Sequence, residues 1–171
     1  MALLAANDKR TNMCASLRSE DIGKRVCLMG WTQRRRDLGS LIFIDLRDRS
    51  GIVQLAFDDG TAPDVFDTAF SVRSEYVLCA KGIVRARGDG AINKNLATGD
   101  IEVAVDELKI LSEAQTPPFE IVEKSNVRPE LRLKHRYLDL RRPDLQGNIL
   151  ARAEVTRIAR EYYYKNGFVD I

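Results

Sequence analysis

Histidine occurs once among these 171 residues, cysteine three times and proline five times. Each scarcity excludes something. Cys14, Cys27 and Cys79 are an odd number, widely spaced and without a Cys-x-x-Cys pair, so neither a disulfide framework nor a zinc site is indicated. A reducing compartment suits them, and a cytoplasmic protein is expected. The one histidine, His135, stands among basic residues in a helical stretch, where a surface place fits it better than catalysis. No Gly-x-Ser-x-Gly, Walker-type phosphate loop or metal-ligand cluster is present. Arg87-Gly88-Asp89-Gly90 reads as a turn. No apolar run approaches the roughly 18 residues of a membrane span, so no membrane partner is expected. The opening Met-Ala-Leu-Leu-Ala-Ala has no basic residue before a very short apolar stretch and does not read as a signal peptide.

What is present is a core-forming, charged chain, 44% hydrophobic and 30% charged. That suffices for one domain of roughly 100–150 residues and an additional element, and it excludes wholesale disorder. The net charge is only +2, but it is unevenly spread. Lys24 to Gln54 holds seven bases and three acids, Asp58 to Glu75 five acids and one base, and Arg128 to Arg160 nine bases and four acids. Arginine outnumbers lysine 19 to 8. Its planar fork suits phosphate and stacks on bases, so the pattern admits a polyanionic partner as well as a merely solvated surface.

The first ~110 residues read as short strands with one helix. Val26 to Trp31 alternates with a period of two. Leu41 to Leu46 and Ile52 to Phe57 are two more strands, joined through a Gly-containing polar turn that signals a hairpin. Thr61 as cap and Pro63 in the first turn open a helix with Val65, Phe66, Ala69, Phe70 and Val72 on its apolar side. Tyr76 to Val84 and Ile101 to Val105, continuing to Leu111, supply strands four and five. Five strands with a helix between the third and fourth predict a mainly β fold, a five-stranded Greek-key barrel of the OB type. Residues 1–112 form this domain and 113–143 a linker, marked by Pro117-Pro118. Residues 144–171 begin something else. Pro129 to Leu140 is predicted as a short basic helix, and Pro143 starts a longer one. Val155, Ile158, Ala159 and Tyr162 form an apolar stripe on the longer helix, Asn166-Gly167 stops it, and residues 168–171 start a strand. A buried stripe and an unpartnered strand imply a chain cut short of a second domain.

Alternation points to the chemistry. Ile42, Ile44 and Leu46 share one face of their strand with Val53, Leu55 and Phe57 opposite, which leaves Phe43, Asp45, Arg47 and Gln54 on the other face. A turn centred near Asp48-Arg49 predicts that Phe43 pairs with Gln54 on the outer surface. There an aromatic can stack a base and an amide can bond a base edge; the pattern equally admits Phe43 packing beneath a loop. Arg34, Arg35 and Arg36 close the first strand and cannot all face one way. Arg85 and Arg87, two apart, share a face. Glu102 opens the fifth strand, where a carboxylate accepts from a base's donor edge. The residues alone therefore lead to a single-stranded nucleic-acid binder with part of another domain, without catalytic residues.

The stretch Gly30-Trp31 through Arg34-Arg35-Arg36-Asp37-Leu38-Gly39-Ser40-Leu41-Ile42-Phe43 to Gln54 closely resembles the N-terminal anticodon-binding domain of bacterial-type aspartyl-tRNA synthetases. Ala97-Thr98-Gly99-Asp100-Ile101-Glu102-Val103 and Arg136-Tyr137-Leu138-Asp139-Leu140-Arg141-Arg142-Pro143 resemble the same family, and residues 166–171 resemble the start of class II motif 1. The resemblance implies that Phe43 stacks on the central anticodon base, a uridine, which Gln54 reads. It implies that Glu102 contacts the first base and that Arg36, Arg85, Arg87 and Asn93 join the anticodon site. Arg34, Arg35 and Arg47 are placed along the tRNA backbone. Near Ala91 the family often carries a polar residue, which is missing here. The implied partner is tRNA(Asp), with Leu38 resembling enzymes restricted to it. The full-length form is expected to be a homodimer, its interface including the long helix, and to use ATP and Mg²⁺ to attach aspartate. Motifs 2 and 3 are absent from the chain, so no aminoacylation is expected of it alone. The alternatives are an asparaginyl-tRNA synthetase domain, which the Arg-Arg-Asp-Leu-Gly-Ser loop disfavours, and a free-standing OB-fold single-strand binder.

Overall fold

The computed structural model describes residues 8–171, apart from the Asp89 side chain; the opening segment read above for a signal peptide lies outside them. Five strands close into a barrel: β1 (Arg25–Asp37), β2 (Ile42–Asp48), β3 (Gly51–Phe57), β4 (Val77–Ala86) and β5 (Ile101–Ser112). Their order around the barrel is β1-β2-β3-β5-β4. All neighbours run antiparallel except β3 and β5. The expected alternation builds it. Ile42, Ile44 and Leu46 from β2 and Val53, Leu55 and Phe57 from β3 are wholly buried, each contributing about 1.5–3 kcal/mol of apolar burial. β1 pairs with β4 along its first half and with β2 along its second, its register slipping between Thr32 and Arg34. At Gly82 the seam between β4 and β5 is so tight that a Cβ would stand 2.1 Å from the Ala104 carbonyl oxygen. Only glycine fits there.

The hairpin register differs from the predicted one. Phe43 pairs with Ala56, and it is Asp45 that faces Gln54. The reason lies in the turn, where Asp48 Oδ1 accepts the Ser50 amide at 2.7 Å and the Ser50 hydroxyl at 2.6 Å. This Asx-type closure moves the turn's centre one residue along. Asp48 Oδ2 also accepts the Cys14 amide at 2.8 Å, which seats Cys14 and Leu17 in the core at this end of the barrel. Burial pushes the Cys14 thiol up to about 12, and the same cause, with neighbouring Cys27, raises Cys79 likewise. All three thiols are free.

Helix α1 (Pro63–Ser71) follows β3 and adds Val65 and Ala69 to the core. Thr61 does not cap it. With Pro63 as the first helical residue the cap position falls on Ala62, and the Thr61 hydroxyl instead accepts the Asp58 amide at 3.0 Å. Phe70, predicted on the apolar side, is exposed.

The chain divides into two compact units, one ending at Thr116 and the other Pro117–Ile171. In the second, the single predicted basic helix is two, α2 (Pro129–Lys134) and α3 (Arg136–Asp139), broken at His135 with φ −117° and ψ 48°. The buried Asp139 carboxylate explains the break. It accepts from Arg132 at 2.8 Å, Arg136 at 2.7 Å and Arg142 at 3.2 Å. Arg132 and Asp139 are seven residues apart, nearly two turns of a straight helix, and meet only because the backbone folds tighter. Helix α4 (Pro143–Lys165) ends at Gly167, whose φ of +81° supplies the predicted left-handed stop. The stripe Val155, Ile158, Ala159 and Tyr162 is exposed rather than buried. Residues 168–171 form no strand. The Phe168 amide bonds the Tyr163 carbonyl at 3.0 Å and the two rings meet edge to face. Among the described residues no helix is long and apolar enough to cross a membrane.

Candidate nucleic-acid interface

Outward side chains from β1, β2, β3, β4 and β5 join in one hydrogen-bonded chain. Arg36 pairs with Phe43 across the β1–β2 ladder, and its guanidinium carbon lies 5.6 Å from the ring centroid. Arg36 Nη2 donates to Asp45 Oδ1 and to Gln54 Oε1, both at 2.9 Å. Gln54 Nε2 donates to Glu102 Oε2 at 2.8 Å. Glu102 Oε1 accepts from Arg85 Nε at 2.8 Å, and Arg85 Nη1 donates to Asp58 Oδ2 at 2.7 Å. The strands decide this grouping: β3 and β5 run parallel beside Leu55 and Val103, and Arg85 faces Glu102 in the β4–β5 ladder.

Two physical consequences follow. Gln54 and Glu102 lie on the outward face yet are only 5% and 7% exposed. Arg36 bonds Gln54 and Arg85 bonds Glu102, so Gln54, expected on an open outer surface, is instead nearly buried. The network also orients the Gln54 amide. An arginine can only donate and a carboxylate accepts, so Oε1 faces Arg36 and Nε2 faces Glu102. Reversing the amide would set oxygen against oxygen and N–H against N–H.

Arg87 lies just beyond the end of β4, and its Nε donates to the Ile101 carbonyl at 2.8 Å. It is 7% exposed, and its Nη2 is buried without a hydrogen-bond partner. Burial outweighs the neighbouring acids and lowers its pKa. For Arg85 burial is again the largest single effect and would lower its pKa, but the bonds to Asp58 and Glu102 together raise it overall. With Asp45, Asp58 and Glu102 against Arg36, Arg85 and Arg87, the cluster is charge-balanced.

The remaining predicted residues separate. Arg34 is exposed at the end of β1. Arg35 turns to α1, with its guanidinium 5.1 Å from the Phe70 ring centroid and a bond to the Phe70 carbonyl. Arg47 pairs with Glu75 at 3.3 Å, four residues along β2 from Phe43. Asn93 stands in the loop between β4 and β5, its side-chain oxygen accepting the Asn95 amide at 3.0 Å. Sequence reasoning missed Asp45 and Asp58 as partners of the arginines. For Asp45 a signal existed, since it alternates with Phe43; for Asp58 there was none.

Residues 26–111 match the family described as "OB-fold nucleic acid binding domain". The chain belongs to that family. Residues 128–171 match "tRNA synthetases class II (D, K and N)". The chain is homologous to aspartate–tRNA ligases. It is 52% identical over 163 residues to the aspartate–tRNA ligase of Ruminiclostridium cellulolyticum, covering 95% of this chain and 27% of that protein. It is 53% identical over 163 residues to the aspartate–tRNA(Asp/Asn) ligase of Syntrophotalea carbinolica, with the same coverage, 95% and 27%. Among solved structures it resembles asparaginyl-tRNA synthetase from Pyrococcus horikoshii complexed with asparaginyl-adenylate, with a TM-score of 0.78 and 27% identity over 95% of this chain and 36% of that one. The chain thus spans about a quarter of the length of its curated relatives.

Proposed function

We propose that the barrel binds the anticodon loop of tRNA(Asp) as the N-terminal part of an aspartate–tRNA ligase, a cytoplasmic homodimer in its full-length form. The observation that carries this reading is the oriented amide of Gln54, held between Arg36 and Glu102 beside the Phe43 ring. Phe43 offers a face for the central base, a contact worth about 1–3 kcal/mol. A uracil edge offers an N–H donor between two carbonyl acceptors, a cytosine edge the reverse at two of those positions. An amide of fixed orientation distinguishes them, whereas a freely rotating one would not. Glu102 has lone pairs left to accept from a guanine's donor edge at the first anticodon position. Arg34, with Arg47 further along β2, suits the phosphate backbone, and the bases spread over the barrel once the loop unstacks. Aspartate activation with ATP and Mg²⁺ belongs to the full-length enzyme; the barrel contributes no residue to that step.

The test is binding of the 171-residue chain to anticodon stem-loops at fixed salt. A loop with anticodon GUC should bind more tightly than one with GCC, and Phe43→Ala and Gln54→Ala should remove the preference. Equal binding of GUC and GCC loops by the unaltered chain would refute anticodon reading. A GUU loop, matching tRNA(Asn), measures restriction to tRNA(Asp).

A further inference from the structure

Asp58 stands where an anion should be unwelcome. A surface that receives a polyanion gains from cations and loses from each carboxylate. Yet this carboxylate is built in, and its two oxygens have different partners. Oδ1 accepts the Gly60 amide at 3.0 Å, closing the turn that leads from β3 to α1. Oδ2 accepts Arg85 Nη1 at 2.7 Å. The bond from Arg85 holds the Asp58 carboxyl below the usual carboxylate range, against the opposing effect of burial.

Among the described residues, Arg85 links Asp58 to the nearly buried Gln54–Glu102 pair. A guanidinium is planar, so anchoring Nη1 on Asp58 and Nε on Glu102 fixes the whole fork. The Arg85 side chain is 40% exposed, against 9% for Glu102. An arm that exposed samples other rotamers unless both ends are tied, and when it leaves, Glu102 loses the donor that aims its Oε1. Freed from Asp58, the same arm reaches any phosphate within range, whatever the sequence.

We propose that Asp58 is a positioning residue for base discrimination: it clamps Arg85, and through Arg85 holds Glu102 aimed at the donor edge of the first anticodon base, without itself touching RNA. This rests on the anticodon reading above. The clamp exchanges sequence-independent attraction for selectivity, because it neutralises a cation that would otherwise bind every loop.

Asp58→Asn separates this role from the turn. The Gly60 amide requires an acceptor, so the asparagine oxygen stays there and its NH₂ faces Arg85, where it cannot accept. Asp58→Glu does the opposite: it returns a carboxylate to Arg85 but is too long to close the turn. Binding of the 171-residue chain is measured for GUC and AUC loops across a salt series, with thermal unfolding confirming that both variants fold. In Asp58→Asn the preference for guanine over adenine should fall about tenfold, the loss of one oriented base contact. The AUC loop should bind at least as well as before, and the salt dependence should steepen by roughly one released counterion. Asp58→Glu should regain most of the preference. An unchanged preference in Asp58→Asn, or an Asp58→Glu variant no more selective than Asp58→Asn, overturns the proposal. Loss of preference in the unaltered chain would overturn the anticodon reading and this inference together.

Discussion

Gln54 and Glu102 meet amide nitrogen to carboxylate oxygen at 2.8 Å, across the only parallel seam among the described strands. Antiparallel neighbours would bring different residues together. Here two residues 48 apart in sequence set a hydrogen-bond donor beside its acceptor and fix which way an amide points.

That relationship makes Gln54→Glu an informative substitution of nearly equal size. It sets two carboxylates side by side, and like charges so close raise the pKa of one of them. Binding of the GUC loop should be weak near pH 7.5, with no preference over GCC, and should recover in part by about pH 5 as the pair takes up a proton. Fluorescence anisotropy at the two pH values, compared with Gln54→Ala, decides the matter; a Gln54→Glu chain with unaltered preference at pH 7.5 would remove the amide from base reading.

Arg34 and Arg35 are adjacent but point to different tasks. Arg34→Ala should leave the melting temperature unchanged and reduce the slope of log K against log salt by roughly 0.7–0.9, one phosphate contact. Arg35→Ala should keep that slope and instead destabilise the barrel by about 1 kcal/mol, since the residue stacks on Phe70 and bonds its carbonyl. The reverse assignment in a paired salt titration and thermal melt would refute this division.

Gly82→Ala tests how the barrel closes. The new methyl would stand 2.1 Å from the Ala104 oxygen and 2.8 Å from its carbonyl carbon, both backbone atoms that cannot step aside. A loss of about 3 kcal/mol or more is expected in urea unfolding, near the upper end for overpacking. A variant as stable as the parent would mean the β4–β5 seam opens more readily than its geometry implies.

Acid should act on the second unit through Asp139. Hydrogen bonding from Arg132 first, then from Arg142, holds its carboxyl below the ordinary 3.8, with burial opposing. A carboxyl depressed in the folded state adds stability that is fully present above its unfolded value and is lost as pH falls through the folded one. Protection of residues 129–142 in hydrogen exchange should therefore be level from neutrality to about pH 4, after correction for intrinsic rates, and decline below that. Asp139→Asn should lower protection at pH 7 and remove the acid step. An acid step that persists in Asp139→Asn would place its origin elsewhere.

Much of the barrel was legible in the chain because its information is local. Alternation in residues 42–46 and 53–57 names the core residues, and the polar turn between them announces a hairpin. Pro63 and Gly167 mark helix ends through their own backbone constraints. The face bearing Phe43 and Gln54 follows from the same period of two, and so does the grouping of Phe43 with Asp45.

What depended on the tertiary structure was which partner each polar side chain found. The hairpin register moved because Asp48 bonds Ser50 and Cys14 together. The basic helix broke because one buried carboxylate gathers three arginines. Arg35 found its partner on α1, and Gln54 and Glu102, bonded by Arg36 and Arg85, are nearly buried. Asp58 reads in sequence as one acid of an acidic stretch, and only the closure of β4 against β5 brings Arg85 to it. Periodicity states which side of a strand a residue occupies; which partner neutralises, orients or covers it is settled when the barrel closes.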